Sequence, residues 1–348
     1  FKCRARDQFI ALPGLTLSIE EQDYFELVMK TAERGLREFM NNEPLTVDIE
    51  GIEQPDVPLW GIWAIQQYAK EAGKDNCIKL YADLLYNIMN YIESRQHPNL
   101  SLETNGLLFT DGKNKPITWM DGTIDDKPVN PRSGYIVEFN ALWYNALKFV
   151  AWLFSETPKA EYAAHLEAIA TTCKDSFVNT FLNNYGYLYD YVDGNMIDWS
   201  VRPNMIMAAA LDYSPLDQVQ KRNVIDICTR ELLTPKGLRS LSPKSGGYTP
   251  ICVGDREYRT RVYHQGTAWP WLGCFYLEAC LKLYKRTRLS FVERQLIGYE
   301  DEVVNHCLGT IPEFFDGNPP FNGRGAISFA MNVGGVLRTL ALLEKYKY

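Results

Sequence analysis

Apolar side chains recur at helical spacing along nearly the whole chain, and the helices they predict are of two kinds. Residues 266–283 carry only Glu278 and Lys282 as charges, while Trp269, Leu272, Phe275, Tyr276, Ala279, Cys280 and Leu283 cover every face. A helix apolar all round must be packed on all sides. Residues 159–182 instead set Lys159, Glu161, His165, Glu167 and Lys174 opposite an Ala/Phe/Val stripe, the pattern of an outer helix with one wet face. Ser18 with Glu21 reads as a capping box opening a helix of about 22 residues that ends near Asn41-Asn42. Helical periodicity also marks 57–72, 75–95, 138–155, 159–182, 200–211, 216–233, 266–286, 290–308 and 325–346, with a short helix near 7–16. Buried and half-exposed helices without a fixed-period repeat predict an all-α fold of two concentric rings, an α/α toroid, in preference to a bundle or solenoid.

A chain of 348 residues, 46% hydrophobic, can bury one large core or two ordinary ones. Its net charge of −7 and the lack of a Lys/Arg run exclude nucleic acid as a partner, since phosphate neutralisation needs clustered bases. No apolar run approaches a membrane span, so no membrane partner is expected. The eight cysteines are scattered without a Cys-x-x-Cys pair, which predicts reduced, buried thiols and a cytoplasmic location. The chain starts at Phe1 with neither an initiator Met nor a leader, so its start reads as a cut. No His/Asp/Glu cluster has ligand spacing, and neither a metal nor a cofactor is implied.

Chemistry is expected in the long loops at 97–137, 183–199, 234–265 and 309–324. Asp121 follows Thr118-Trp119-Met120, where aromatic neighbours can keep a carboxyl group protonated near neutral pH. The loop before it, 104–112, reads as a pair of turns or a short hairpin. Glu313 stands between Pro312 and Phe314, a costly place for a carboxylate unless it serves a ligand or water. Two carboxyl groups in separate aromatic loops are what glycoside hydrolysis needs, one to protonate the leaving oxygen and one to activate water across about 6.5–9.5 Å. Around them, Arg6-Asp7, Asp56 with Trp60, Arg202 and His264-Gln265 ahead of Trp269 form a candidate sugar-gripping shell; ordinary capping and core aromatics are the plainer alternative. Thr267 is placed as an N-cap, with Pro270 in the first turn.

Taken in order, Arg6-Asp7-Gln8-Phe9-Ile10-Ala11-Leu12-Pro13-Gly14, Thr118-Trp119-Met120-Asp121, Pro131-Arg132, Val137-Glu138-Phe139-Asn140-Ala141-Leu142-Trp143, Arg202-Pro203-Asn204, Gly237-Leu238-Arg239, Tyr263 to Trp271 and Glu313-Phe314-Phe315-Asp316-Gly317 resemble the glucosidase domain of glycogen debranching enzymes, the amylo-α-1,6-glucosidases. The resemblance implies an (α/α)6 toroid, shared with glucoamylase-like and trehalase-like hydrolases, forming one catalytic domain over 1–348. It implies removal of α-1,6-linked glucose from a branched α-glucan with inversion, Asp121 as general acid and Glu313 as general base. Arg6, Asp7, Asp56, Trp60, Trp119, Glu138, Arg202, His264, Gln265 and Trp269 fall on motif positions implied to line the glucose subsite, with Arg239 and Tyr263 as weaker candidates. The chain departs from the family pattern where Arg4-Ala5 replaces a Trp-Gly and where Phe329 and Met331 replace a Gln and a Trp. Two rivals are a sugar isomerase or epimerase, which would draw on a pair of His, and a non-catalytic glycan-binding toroid.

Overall fold

In the computed structural model, which describes residues 3–347, the helices expected from periodicity are present with adjusted ends. They are α1 (Ala5–Leu15), α2 (Gln22–Met40), α3 (Val57–Ala72), α4 (Lys74–Glu93), α5 (Val137–Phe154), α6 (Ala160–Phe181), α7 (Ile206–Ala210), α8 (Gln218–Glu231), α9 (Arg256–Val262), α10 (Pro270–Tyr284), α11 (Leu289–Ile297) and α12 (Ala330–Lys347). No helix is long and apolar enough to cross a membrane among the described residues.

Several sequence expectations need correction. Ser18 does not cap α2: it lies in a 3-10 turn with its hydroxyl toward the Pro13 carbonyl, and Glu21 precedes the helix without a side-chain bond. Thr267 does not open α10, because its hydroxyl donates to the Tyr263 carbonyl at 2.5 Å and Ala268-Trp269 are drawn into a strand. The helix over 290–308 breaks after Ile297, where Gly298 lies so close to the Pro235 carbonyl that a Cβ would meet it at 2.7 Å. The stretch 200–211 shrinks to a 3-10 turn at Pro203–Met205 and the five-residue α7, and α9 rises inside the expected loop 234–265.

The all-α expectation is also too simple, for the fold is helix-rich with short strands. One five-stranded antiparallel sheet has the order β1 (Ser101–Leu102), β2 (Leu108–Thr110), β5 (Gly134–Ile136), β6 (Tyr191–Asp193), β7 (Met196–Ile197), so the hairpin expected near 104–112 is its first turn. A separate hairpin is formed by β3 (Thr123–Ile124) and β4 (Lys127–Pro128). The second five-stranded sheet joins β8 (Leu233–Thr234), β9 (Gly237–Arg239), β10 (Ala268–Trp269), β11 (Phe314–Phe315) and β12 (Gly323–Arg324) in sequence order.

Helix packing follows a closed circuit. α1 packs on α3, α3 on α5, α5 on α7, α7 on α10, α10 on α12, and α12 returns to α1. Except for α12, these helices are buried along most of their length; in α10 every residue from Pro270 to Leu281 is buried. The others carry one buried face, as in α6, where Ala163, Leu166, Ala170, Cys173, Phe177 and Phe181 recur every three or four positions. The charges that α10 brings inside are neutralised by an ion-pair chain: Glu278 meets Arg338 of α12 and Lys282 at 2.7 Å, and Lys282 meets Asp212 at 2.7 Å, which holds Lys70 of α3 at 3.0 Å.

The connections are unequal in a way that places the site. From circuit helix to outer helix they are short, reduced to Gly73 alone between α3 and α4. From outer helix to circuit helix they are long, and the strands named above lie on them. Since these long segments all run into the start of a circuit helix, the candidate residues 119–138, 202, 264–269 and 313 are gathered at the end where those helices begin.

Candidate active site

Glu313 is held by two donors. The Tyr263 hydroxyl donates to one oxygen, and the Ala326 N–H donates to Oε2 at 2.9 Å. The loop closes this tightly because residue 325 is glycine at φ 74°; a Cβ there would fall 2.2 Å from Oε2. Burial, and then the charge of Glu313, push the Tyr263 phenol well above its ordinary range, so it stays protonated and donating. Its ring is fixed edge-on against Phe314, Trp269 and His264. Glu313 faces a cavity of about 660 Å³ shared with Gly122, Thr260 and Tyr263. It also borders one of about 560 Å³ whose wall includes Asp7, Arg4, Phe329 and Met331. Phe329 and Met331, two of the departures from the family pattern, therefore lie on a wall beside Glu313.

Asp121 has a different partner from the one its sequence neighbours suggest. Its carboxylate is ion-paired with Arg4, whose side chain is about half exposed (51%). Trp119 turns away into the core: its indole N–H donates to Asn204 Oδ1 at 2.7 Å and its ring packs edge-on against His264, Trp269 and Trp271. Asp121 borders a cavity of about 290 Å³, and Arg4 borders both this one and the cavity with Asp7 and Glu313. Gly122, the next residue after Asp121, lines the 660 Å³ cavity of Glu313. The two loops thus reach the same opening, with the Arg4 cation alongside Asp121.

Asp7 lines the 560 Å³ cavity with Glu313 and Arg4. Among the described residues no hydrogen bond holds its carboxyl group, and burial pushes its pKa up in spite of Arg6 and Arg4.

The remaining shell candidates come together as a buried framework. Both oxygens of Asp56 are taken by Arg6, at 2.5 and 2.9 Å. Both oxygens of Glu138 are taken by Arg132, whose Nε also meets Asp190 at 2.7 Å. Asn204 donates to Asp190 at 2.7 Å while accepting from Trp119, so one polar chain runs from Glu138 to Trp119. Burial raises the Asp190 carboxyl to about 6 even against the Arg132 charge. Trp60 is buried, edge-on to Trp63 and Trp271. The void among Asp56, Trp60, Trp119 and Glu138 is only about 10 Å³, near the least that holds one water. Arg202 donates to the carbonyls of Ser240 and His264 at 3.0 and 2.9 Å and to Gln265 Oε1 at 3.1 Å, which ties the two loops together. His264 is fully buried and stacked on Trp269, and burial pulls its pKa down to about 3, so it is neutral at physiological pH. Trp269 is sandwiched between that imidazole and Phe314.

Sequence reading missed Asp190 entirely and rated Tyr263 low, and nothing in their local patterns marks them. It also missed a grouping of Glu302, His306 and Cys307, whose potential ligand atoms lie within 4.8 Å of one another. There Lys236 already meets Glu302 at 3.3 Å.

The profile of the family described as amylo-alpha-1,6-glucosidase matches residues 1–338. The chain belongs to the amylo-alpha-1,6-glucosidase family. It is accordingly a glycosidase enzyme. No curated protein matches it. Among solved structures it is similar to an uncharacterized conserved protein from Thermus thermophilus, with 14% identity and a TM-score of 0.64, over 98% of this chain and 92% of the other. It is likewise similar to the GH63 mannosylglycerate hydrolase of Thermus thermophilus in complex with glucose, with 13% identity, a TM-score of 0.64 and the same coverage. The same hydrolase with Tris and D-glycerate gives 13% identity and a TM-score of 0.62 over 99% of this chain and 93% of that one. At such identities the likeness speaks for the fold. The family member described here keeps that fold around a framework of paired buried charges.

Proposed function

We propose that this glycosidase removes α-1,6-linked glucose from a branched α-glucan with inversion, working as one cytoplasmic (α/α)6 toroidal domain. The observation that carries the reading is the seating of Glu313. A carboxylate held by Tyr263 and the Ala326 N–H, at the rim of a cavity that Gly122 also lines, is oriented to polarise a water opposite the Asp121 loop. The closed circuit of six helices and the GH63 neighbour's complex with glucose support the toroid and a glycosyl ligand respectively. Asp121 then serves as acid. Arg4 occupies the Asp121 carboxylate, so substrate must displace Arg4 before Asp121 can act.

One observation favours a second assignment of the acid. Asp7 opens onto the same cavity as Glu313 and is the carboxyl group whose burial favours the protonated form. Asp121→Asn, Asp7→Asn and Glu313→Gln, assayed on a branched limit dextrin by NMR, decide the matter. Glu313→Gln and Asp121→Asn should each lower turnover by about three orders of magnitude or more with glucose affinity retained, and wild type should release β-glucose first. Near-normal turnover in Asp121→Asn with loss in Asp7→Asn moves the acid to Asp7; α-glucose as first product ends the inverting reading.

A further inference from the structure

The 660 Å³ cavity beside Glu313 has a charge that a neutral glucan does not need. Three guanidinium groups line it, those of Arg256, Arg259 and Arg324, against the one carboxylate of Glu313, in a chain whose net charge is −7. Arg324 is already committed to Asp316, with Nη2 to Oδ2 at 2.7 Å. Arg256 and Arg259 are not. They stand three positions apart on α9 and so share a face. The acids next to them are used elsewhere: Asp255 caps the helix by accepting from the Tyr258 N–H at 2.8 Å, and Glu257 pairs with Arg261 at 2.8 Å. Arg259 donates to the Gly254 carbonyl, at 2.9 Å, and among the described residues no acidic side chain meets Arg256. Two exposed cations are thus turned, without carboxylate partners among the described residues, toward the space that Glu313 and Gly122 also border.

We propose that this cavity selects a saccharide carrying an anionic group, a phosphate monoester or a carboxylate, which Arg256 and Arg259 bind while the glycosidic bond lies against Glu313. The proposal deepens the hydrolase reading and rests on it for the position of the bond. Guanidinium forks match both anions in geometry, and a cleft wall of one sign raises the local concentration of the opposite charge. The anion is bound and not transformed.

Calorimetry on the full chain with glucose, glucose 6-phosphate and glucuronate tests it directly, since binding does not depend on turnover. Glucose 6-phosphate or glucuronate should bind at least ten-fold more tightly than glucose, and whichever does so identifies the anion. The gain should disappear in the double variant Arg256→Gln/Arg259→Gln, whose exposed positions leave the fold undisturbed, and shrink as salt is raised. Equal affinity for all three sugars, or a gain that survives the double variant, overturns the proposal. In parallel, a phosphorylated limit dextrin should be hydrolysed with at least ten-fold higher kcat/KM than the same dextrin after phosphatase treatment. If neither dextrin releases glucose while the arginine-dependent binding gain persists, the anion site stands and the hydrolase reading is what fails.

Discussion

Arg132 sits between two buried carboxylates, Glu138 and Asp190, and three of its contacts replace water that none of these groups can reach. Removing one partner from such a set leaves an uncompensated charge, which costs about 3–5 kcal/mol. Arg132→Met should lose that much stability in urea denaturation at pH 7, whereas the exposed pair Arg261–Glu257 can be removed for under about 1 kcal/mol. Residue-scale pH dependence follows from the buried imidazoles. Burial lowers His264 to about 3 and His97 to about 4, so each folds neutral, and the unfolded chain binds the extra proton below about 6.5. Their contribution is therefore complete above pH 6.5 and lost as pH falls. Asp190, raised to about 6, works the other way between about 6 and 4, and Asp7 shares its sign. From pH 7 to pH 5 each His withdraws about 2 kcal/mol and Asp190 returns about 1, so stability should drop by roughly 2–3 kcal/mol. His97→Asn should flatten that slope; an unchanged slope would remove His97 from the explanation. None of this pairing was legible in the sequence. Asp121 beside Trp119 read as a desolvated acid, yet the indole is claimed by Asn204 and the carboxylate by Arg4, partners 85 and 117 positions away.

Elements were legible where their period was long enough to register. The uniformly apolar run after Gly266 marked α10 as buried, and the stripe over 159–182 marked α6 as outer, because in each case some four or more turns repeat the same burial. Strands of two or three residues repeat nothing, so both five-stranded sheets escaped notice apart from the hairpin at 101–110. The crossing of α1 and α12 was equally hidden. There the backbones touch: a Cβ on Gly14 would fall 1.8 Å from the Gly334 carbonyl oxygen, and one on Gly334 would fall 2.5 Å from the Ala11 carbonyl oxygen. Backbone atoms cannot give way as a flexible side chain can, so Gly14→Ala must push the helices apart where the circuit closes. A loss of at least about 3 kcal/mol is expected, seen as a lower midpoint in thermal or urea unfolding. Gly246→Ala, with open space around its Cβ, is the control and should change little.

At the scale of the whole molecule, alternation of short and long connections turns a chain order into a polarity. Five long segments enter the circuit helices at their starts, carrying the strands, the paired carboxylates and the arginines of α9, while the opposite end is tied by turns and by the Lys70–Asp212–Lys282–Glu278–Arg338 chain. The sequence showed that these loops were long and rich in Trp, Tyr and acids; it could not show that they meet, since that depends on every helix reversing direction in turn. The circuit also leaves the starts of helices such as α5 and α10 at the loop end, where the Val137 N–H donates to the Asp190 carbonyl at 3.2 Å and the Trp271 N–H to Asn332 Oδ1 at 3.0 Å. Ligand effects should therefore be one-sided. In hydrogen exchange, saturating glucose should slow amides in 118–136, 252–266 and 311–329, by linkage between binding and local opening, and leave the turns at 155–159, 211–217 and 285–288 unaffected. Protection spread evenly over both ends would mean a global rather than a sited effect, and protection of the short turns alone would put the sugar at the wrong end of the molecule.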